Sequence, residues 1–451
     1  MGSRSKVKGS RERQEQPLRP QLARRAVDAP LGPARYGRMF PDLPAFDADD
    51  EFLCALGCNG GVCDRDSVLG APEKLGDVAA GWPIFGQFVG HDITADRSPL
   101  AKHVDPSTLR NARAPQLDLQ CLYGDGPIGH PYLYRRDDSA TLLLGPGNAD
   151  LPRNVEGIAI IGDPRNDSHT VIAQLHLAMM RAHNRFVEDA RRLGVRDAAV
   201  FQWAVHEMRW HYEWAILHEF LPMLAGTQIV DDVLANGPRW FRPDDVFIPL
   251  EFADAAYRYG HSQIRQSYQL NRGTREVPLF PDLVGFQPVS SEREIDWTLF
   301  FDVKGTEPAQ RAKQIDGTLP HPLIDLPTAI TGSSEPEEYR SLALRDLRRG
   351  SGVGLPSGEV LAAHVGEPPL SADDIGLTNT SWKGDTPLWF YLLREAAVKA
   401  GGNRLGPIGG RIVTEVLVTL LDRDATSVRF ADAAWRPSWS LVELLTRDRL
   451  D

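Results

Sequence analysis

The sequence predicts a mainly α-helical fold, built as one large domain with few short strands. Apolar residues recur at helical spacing in several long segments. No linker divides these segments, and no internal repeat is visible. Since 42% of the 451 residues are apolar and 25% are charged, the composition is that of a globular protein with a large core.

The longest predicted helix runs from Ser168 to about Leu193. Its apolar residues recur every three or four positions, which is the pattern of a helix with one buried face. Asp167 is a suitable N-cap, and Gly194 is a suitable residue after the last turn. The same pattern predicts further helices over Trp82 to Ile93, about Ala198 to Leu221, about Pro249 to Ile264 and the segment GGRIVTEVLVTLLDRD, whereas Arg265 to Pro336 is predicted to be irregular.

Residues 1–30 are basic and polar, and we predict a disordered arm there, followed by the domain over residues 31–451. The arm lacks the apolar region of a signal peptide, and no apolar run approaches the roughly 20 residues that span a bilayer. We therefore expect a cytoplasmic protein without a membrane span; an amphipathic targeting role for the arm and export without a signal peptide are the alternatives. The net charge of −11 disfavours nonspecific nucleic-acid binding, which needs a basic face.

The four cysteines do not follow a metal-binding pattern. Cys54, Cys58 and Cys63 lie close together in the sequence, and their spacing matches no common zinc or iron–sulfur motif; Cys121 lies apart from them. We expect reduced thiols, with a disulfide or a redox role as the alternatives.

The segment GQFVGHDIT places a glutamine and a histidine on a predicted helix with a largely apolar face. Gln87 and His91 are four residues apart, so their side chains project from the same face and can reach one ligand. Asp92 points about a quarter-turn away and must contact something else.

The other histidines favour structural interpretations when each is considered alone. His206 and His211 in HEMRWH are one residue too far apart for a zinc-protease motif, and a packed helix explains them better. His176 and His183 lie seven apart in the longest predicted helix, where core packing is the preferred interpretation.

Seven segments in chain order resemble the animal-type haem peroxidase superfamily, specifically its compact bacterial members. The resemblance covers most of the chain from about Phe40 onward, and it implies a mainly helical domain with haem held between core helices. The segments are GQFVGHDIT, LDLQCLYG, LPRNVEGIAIIGDPRND, HLAMMRAHNRFV, EFADAAYRYGHS, RDLRRGSGVGLPSG and GPIGGRIVTEVL.

The resemblance implies a haem-dependent peroxidase that reduces hydrogen peroxide and oxidises a small, aromatic organic reductant. His91 corresponds to the distal histidine, which removes a proton from one peroxide oxygen and returns it to the other. Arg165 corresponds to the catalytic arginine, which stabilises the charge that develops on the departing oxygen. Gln87 would orient the distal water or a small substrate.

On the other side of the haem, His261 corresponds to the ligand of the iron. Its second ring nitrogen needs an acceptor, for which the family normally supplies an asparagine and this chain has Asp346. A carboxylate there would increase the electron density that His261 gives to iron. Arg258 corresponds to the partner of a haem propionate.

Two departures from the family concern covalent attachment. Mammalian relatives link haem through esters from an aspartate and a glutamate, whose positions are occupied here by Gly90 and Ser168. We therefore expect haem b held noncovalently, and halide oxidation becomes doubtful.

The resemblance also implies a calcium site. Asp92, Asp118 and Gln120 occupy calcium-ligand positions of the family, although Ala114 replaces a residue that usually gives two ligand atoms. The alternative is that Asp92 and Asp118 bond to the backbone or to a basic side chain.

Two further functions remain open at the level of sequence. The superfamily contains fatty-acid dioxygenases, but Arg258 stands where their radical tyrosine lies, and Tyr257 is one residue out of register. A noncatalytic, peroxinectin-like haem-binding or adhesive module needs only His261, so the presence of Gln87, His91 and Arg165 argues against it. The identity of the reductant and the oligomeric state do not follow from the sequence.

Overall fold

The computed structural model describes residues 34–65, 73–95, 108–332, 336–378, 380, 382 and 384–446. The predicted arm over residues 1–30 lies outside these described residues. Within them, the mainly helical fold is confirmed. The α-helices are α1 (Asp50–Gly57), α2 (Gly81–Ile93), α3 (Gln120–Tyr123), α4 (Gly126–Gly129), α5 (Thr170–Arg192), α6 (Asp197–Ala215), α7 (Leu221–Ala225), α8 (Thr227–Asn236), α9 (Leu250–Ala253), α10 (Gly260–Gln263), α11 (His321–Ile324), α12 (Thr328–Thr331), α13 (Leu342–Gly352), α14 (Gly358–Val365), α15 (Ala372–Ile375), α16 (Leu388–Ala400), α17 (Pro407–Asp422) and α18 (Leu441–Thr446).

The longest helices form the centre of the molecule. α5 packs along α6, and α2 packs against α5, so the three helices share one apolar core. The predicted stripe of α5 is buried, as Val171, Leu175 and Met179 show. α6 continues through a π-helical turn, Ile216–Phe220, directly into α7, which accounts for the predicted helix from about Ala198 to Leu221.

The strands are short and form three small sheets among the described residues. β1 pairs antiparallel with β3 and parallel with β4, while β2 pairs with β7 and β5 with β6 in antiparallel fashion. The strands are β1 (Ala34–Gly37), β2 (Leu75–Ala79), β3 (Arg110–Asn111), β4 (Ile248–Pro249), β5 (Ser267–Tyr268), β6 (Val277–Pro278) and β7 (Arg311–Lys313).

The start of α5 differs from the sequence prediction. Asp167 is not the N-cap, because Arg153 donates two hydrogen bonds to its carboxylate, at 2.6 and 2.8 Å. The backbone is still extended at His169, whose Nδ1 accepts a hydrogen bond from the backbone N–H of Ile172 at 3.2 Å. His169 therefore caps the helix in place of Asp167.

The predicted helix from Pro249 to Ile264 is wrong as a single element. It divides into α9, a 3₁₀ turn over Ala256–Tyr259, and α10. The break frees the carbonyl of Ala253, which accepts a hydrogen bond from Nε of Arg258 at 2.9 Å. A side chain thus satisfies a carbonyl that a continuous helix would have paired internally.

The expectation of reduced thiols is also wrong for one pair. Cys54 and Cys58 form a disulfide at the end of α1, whereas Cys63 and Cys121 are free and buried. Four residues of separation bring the two sulfurs to the same face of a helix, which the linear spacing alone did not distinguish from a loop.

Candidate active site

A cavity of about 490 Å³ lies between α2 and the segment that contains α10. The side chains of His91 and His261 both line it, although 170 residues of chain separate them. Apolar and aromatic residues form much of the remaining wall, among them Phe252, Phe280 and Leu323.

On the α2 side, His91 is fixed by an amide behind it. Its Nδ1 donates to Oδ1 of Asn166 at 2.7 Å, and Nδ2 of Asn166 donates to Nδ1 of His176 at 3.0 Å. Burial, and next the positive charge of Arg165, lower the pKa of His91 to about 3. His91 is therefore neutral, and its unprotonated Nε2 is available to the cavity.

The guanidinium of Arg165 is held at the end of α2. It donates to the carbonyls of His91 and Thr94, at 3.0 and 2.6 Å, and to the carboxylate of Asp163. The side chain still lines the cavity and is 37% exposed. Because Asp163 also pairs with the buried Arg113, the position of the Arg165 cation beside His91 is strongly constrained.

Gln87 lines the same cavity one helical turn before His91. Its Oε1 lies 2.9 Å from Nε2 of His169, the N-cap of α5. The predicted convergence of Gln87 and His91 on one ligand-sized space is therefore present, and the structure adds His169 to it.

On the other side, Nδ1 of His261 donates to Oδ2 of Asp346 at 2.5 Å. The second oxygen of Asp346 accepts from Nη1 of Arg258 at 2.6 Å, and Nη2 of Arg258 pairs with Asp254 at 2.6 Å. Asp346 is fully buried, and the neighbouring His261 and Arg258 hold its pKa below the usual value despite the burial. The carboxylate that the sequence placed beside His261 thus contacts it directly.

These contacts occupy the guanidinium of Arg258 with two carboxylates and the carbonyl of Ala253. The pairing of Arg258 with a haem propionate therefore remains a prediction, and the arrangement gives it no direct support. Arg345 and Arg349, on the same helix as Asp346, also line the cavity.

Gly90 and Ser168, the two positions at which this chain has no ester-forming carboxylate, both line the cavity. At Gly90, an added Cβ would lie 3.1 Å from the ring of Tyr257. Tyr257 is itself fixed, because its ring stacks on Phe252 and its hydroxyl donates to the carbonyl of Gly86 at 3.1 Å. The tyrosine ring thus takes up the space that a side chain at Gly90 would need.

The predicted calcium ligands make hydrogen bonds in place of an oxygen cage. Asp92 accepts from the backbone N–H groups of Leu119 and Cys121, at 3.0 and 3.3 Å. Asp118 accepts from the N–H of Gln120 at 3.0 Å. Burial, and next the charge of Asp118, raise the pKa of Asp92 to about 7.

The amide oxygen of Gln120 faces a cation, since it lies 3.5 Å from Nη1 of Arg113. Among the described residues, no three His, Cys, Asp or Glu side chains converge as a metal-binding group. The observed arrangement matches the hydrogen-bonding alternative better than it fits calcium. Calcium stays an untested prediction of the resemblance.

The sequence did not predict two residues of this site, Asn166 and His169. Asn166 follows Arg165 directly, so its amide could have been noted as a candidate partner for a distal histidine. No local pattern marks His169, because its contact to Gln87 joins residues 82 positions apart. His176 was assigned to core packing, and it is fully buried, but it also contacts Asn166.

Comparison with known proteins agrees with this geometry. Residues 105–283 match the family model described as animal haem peroxidase. Peroxidase A from Dictyostelium discoideum has a similar structure, with a TM-score of 0.64 at 16% identity over 92% of this chain and 91% of that one. Residues 105–283 are thus similar to the animal haem peroxidase family, and the described structure has the fold of such a peroxidase.

Proteins of another kind are equally similar in fold. The fatty acid alpha-dioxygenase of Arabidopsis thaliana gives a TM-score of 0.69 at 14% identity, over 93% of this chain and 78% of that one. "Heme peroxidase 2" of Caenorhabditis elegans is 30% identical over 112 residues, which are 23% of this chain and only 16% of that protein. At these identities the structural likeness shows the fold and does not separate peroxidases from dioxygenases.

No described helix is long and apolar enough to cross a membrane.

Proposed function

We propose that the protein is a haem-dependent peroxidase, which reduces hydrogen peroxide and oxidises a small aromatic molecule. One observation carries this proposal: His91 and His261 line the same cavity, and each has its Nδ1 bonded to a buried acceptor behind it. Both Nε2 atoms are therefore left for ligands in the cavity, one as an iron ligand and one as a base.

The residues present fit haem b. His261 would hold the iron, with Asp346 accepting its second ring proton, as metal-bound histidines require. Arg345 and Arg349 supply positive charge at the cavity wall for the propionates. Haem, when bound, supplies the redox-active iron that accepts oxidising equivalents from peroxide. Since Gly90 and Ser168 have no carboxylate, the cofactor would be held without esters.

The α2 side supplies the proton transfer. Neutral His91 would take a proton from one peroxide oxygen and return it to the other, so that the second oxygen leaves as water. Asn166 keeps the Nδ1 proton in place and so leaves Nε2 as the only basic atom of the ring. The Arg165 cation would stabilise the negative charge on the departing oxygen, and its hydrogen bonds to His91, Thr94 and Asp163 already hold it in place.

The cavity wall favours an aromatic reductant. Phe252, Tyr257 and Phe280 offer ring faces and edges on which a phenol or indole can stack. This placement concerns the substrate class and leaves its identity open.

A fatty-acid dioxygenase is the second candidate, because Tyr257 lines the cavity as a partly buried tyrosine beside α2. Hydrogen abstraction from an alkyl chain needs a tyrosyl radical, and a guanidinium at Arg258 cannot supply one. The hydroxyl of Tyr257 donates to a backbone carbonyl, which is a poor proton acceptor for radical formation. These contacts favour the peroxidase.

The peroxidase and the dioxygenase activity differ in the oxidant that they consume, which is hydrogen peroxide for the first and oxygen for the second. Purified holoprotein should oxidise guaiacol with hydrogen peroxide and should take up no oxygen with palmitate or linoleate in an oxygen electrode. His91→Ala should slow guaiacol oxidation by about 10²–10⁴-fold while haem content is kept, because general acid–base catalysis contributes that much. Tyr257→Phe serves as the matched control and should leave guaiacol oxidation within a few-fold of the unmodified protein.

Oxygen uptake with a fatty acid that disappears in Tyr257→Phe, alongside negligible guaiacol oxidation, would replace the peroxidase assignment with the dioxygenase one. Haem binding with neither activity would favour a noncatalytic haem-binding module.

A further inference from the structure

We propose that His169 is a positioning residue, which fixes the orientation of the Gln87 amide and directs its N–H donors into the cavity. The proposal rests on the haem-dependent function above and concerns a residue that acts only through Gln87. It starts from two contacts, namely Ile172 N–H to His169 Nδ1 at 3.2 Å and His169 Nε2 to Gln87 Oε1 at 2.9 Å.

The first contact decides the protonation of the ring. A backbone N–H can only donate, so Nδ1 of His169 must carry the lone pair. The imidazole is 8% exposed, and burial lowers its pKa to about 4, so it is neutral near pH 7. The single ring proton therefore lies on Nε2.

The second contact then decides the orientation of the amide. Nε2–H of His169 needs an acceptor, and the atom of Gln87 that faces it is Oε1. The amide nitrogen of Gln87 must consequently turn away from His169. No contact from this nitrogen to another described residue is found, and the side chain lines the cavity.

The result is a pocket with one acceptor and one donor group. His91 presents an unprotonated Nε2, and Gln87 presents N–H hydrogens from the same helix face. Peroxide can donate its proton to His91 and accept a hydrogen bond from Gln87. Without the His169 contact, the Gln87 amide could rotate and present its oxygen, which would give the pocket two acceptors.

A ligand that only accepts hydrogen bonds tests this orientation. Fluoride binds ferric haem, and its affinity is read from the absorption spectrum without turnover. His169→Asn keeps the helix cap, because asparagine is a good N-cap, but its side chain is too short to reach Gln87. Gln87→Leu removes the donor itself, and the double variant closes a thermodynamic cycle.

We expect His169→Asn to weaken fluoride binding by about 3- to 10-fold, the range of one neutral hydrogen bond. In the Gln87→Leu background, the same change should have no further effect. His183→Asn is the control, because His183 is a buried histidine of the same helix that bonds Tyr123 and the carbonyl of Ala140 away from the cavity. It should lower the melting temperature and leave fluoride affinity unchanged.

Unchanged fluoride affinity in His169→Asn would overturn the proposal while leaving the proposed function intact. An equal loss in the presence and absence of Gln87 would overturn it as well, because His169 would then act by another route. An unmodified protein that binds no haem would overturn both this proposal and the proposed function.

Discussion

Asp346 shows how one side chain can set the electronic character of the site. The residue is fully buried, and its two oxygens face His261 and Arg258. A carboxylate attracts the imidazole proton more strongly than an amide does, and so would make His261 a stronger donor to the iron of the proposed haem. Arg258 and Asp254 moderate this effect, because the Arg258 cation pairs with Asp346 and is itself paired with Asp254.

Asp346→Asn should therefore make the haem iron easier to reduce. Replacing a charge-assisted hydrogen bond by a neutral one changes the interaction by about 1.4 kcal/mol, a tenfold change in the ferric-to-ferrous ratio, or about 60 mV for one electron. Spectroelectrochemical titration of the holoprotein measures this midpoint potential. An unchanged or lower potential in the variant would show that Asp346 does not act on iron through His261.

At the residue scale, the sequence predicted which side chains of a local motif lie together at the cavity. His91, Gln87, Arg165 and His261 all line the cavity, as the motifs implied. Asn166 and His169 were missed, because what places them at the site is a tertiary contact to α2. The same limit applies to Arg258, whose bonds to Asp254 and Asp346 depend on a helix break that periodicity did not reveal.

The α2 helix is the element that positions the proposed base, His91. It carries Gln87 and His91 toward the cavity and Asp92 toward the opposite segment, where Asp92 accepts hydrogen bonds from Leu119 and Cys121. Tyr212 of α6 also donates to Asp92, at 3.4 Å. The carboxylate therefore joins three parts of the chain directly beside the proposed base.

Asp92→Asn should destabilise this junction. The amide keeps one oxygen acceptor and turns an N–H group toward a backbone N–H, and a buried unsatisfied group costs about 1–3 kcal/mol. Urea denaturation measures the change in the free energy of unfolding. Asp137→Asn is the control, because the side chain of Asp137 is 71% exposed and pairs with Arg135 at the surface, where the expected change is under about 1 kcal/mol.

The same measurement decides the question of calcium. If hydrogen bonds alone hold Asp92, exhaustive treatment with EDTA should leave the stability of the unmodified protein unchanged. The contrary result is a loss of unfolding free energy on EDTA treatment that equals the loss in Asp92→Asn and is reversed by added calcium. It would establish calcium at this position and contradict the hydrogen-bonding account.

At the scale of elements, long helices with a clear apolar stripe were predicted within about two residues at most ends, as α2 and α17 show. The ends of short elements were not predicted. The region from Pro249 to Ile264 has the composition of a helix, but its geometry is decided by the bonds of Arg258 to a free carbonyl and two carboxylates. Tertiary interactions therefore override local preference at the segment that carries His261.

The whole molecule brings together residues that are far apart in sequence around one cavity. Its helical, single-domain architecture followed from composition and periodicity, and the order of motifs indicated the superfamily. Neither the architecture nor the order of motifs decides whether the substrate is peroxide or a fatty acid, because peroxidases and dioxygenases share this fold. That choice depends on the side chains at the cavity, above all on the pairing of Arg258 and on the proposed proton transfer by His91.

The central claim is that one haem binds in this cavity with His261 as its iron ligand and His91 as an unligated base. Titration of haem into the apoprotein, followed by the Soret absorption, tests it most directly. We expect saturation at one equivalent for the unmodified protein and for His91→Ala. His261→Ala should lose tight binding, and added imidazole should restore the spectrum. Unchanged stoichiometry, affinity and Soret position in His261→Ala would contradict the account.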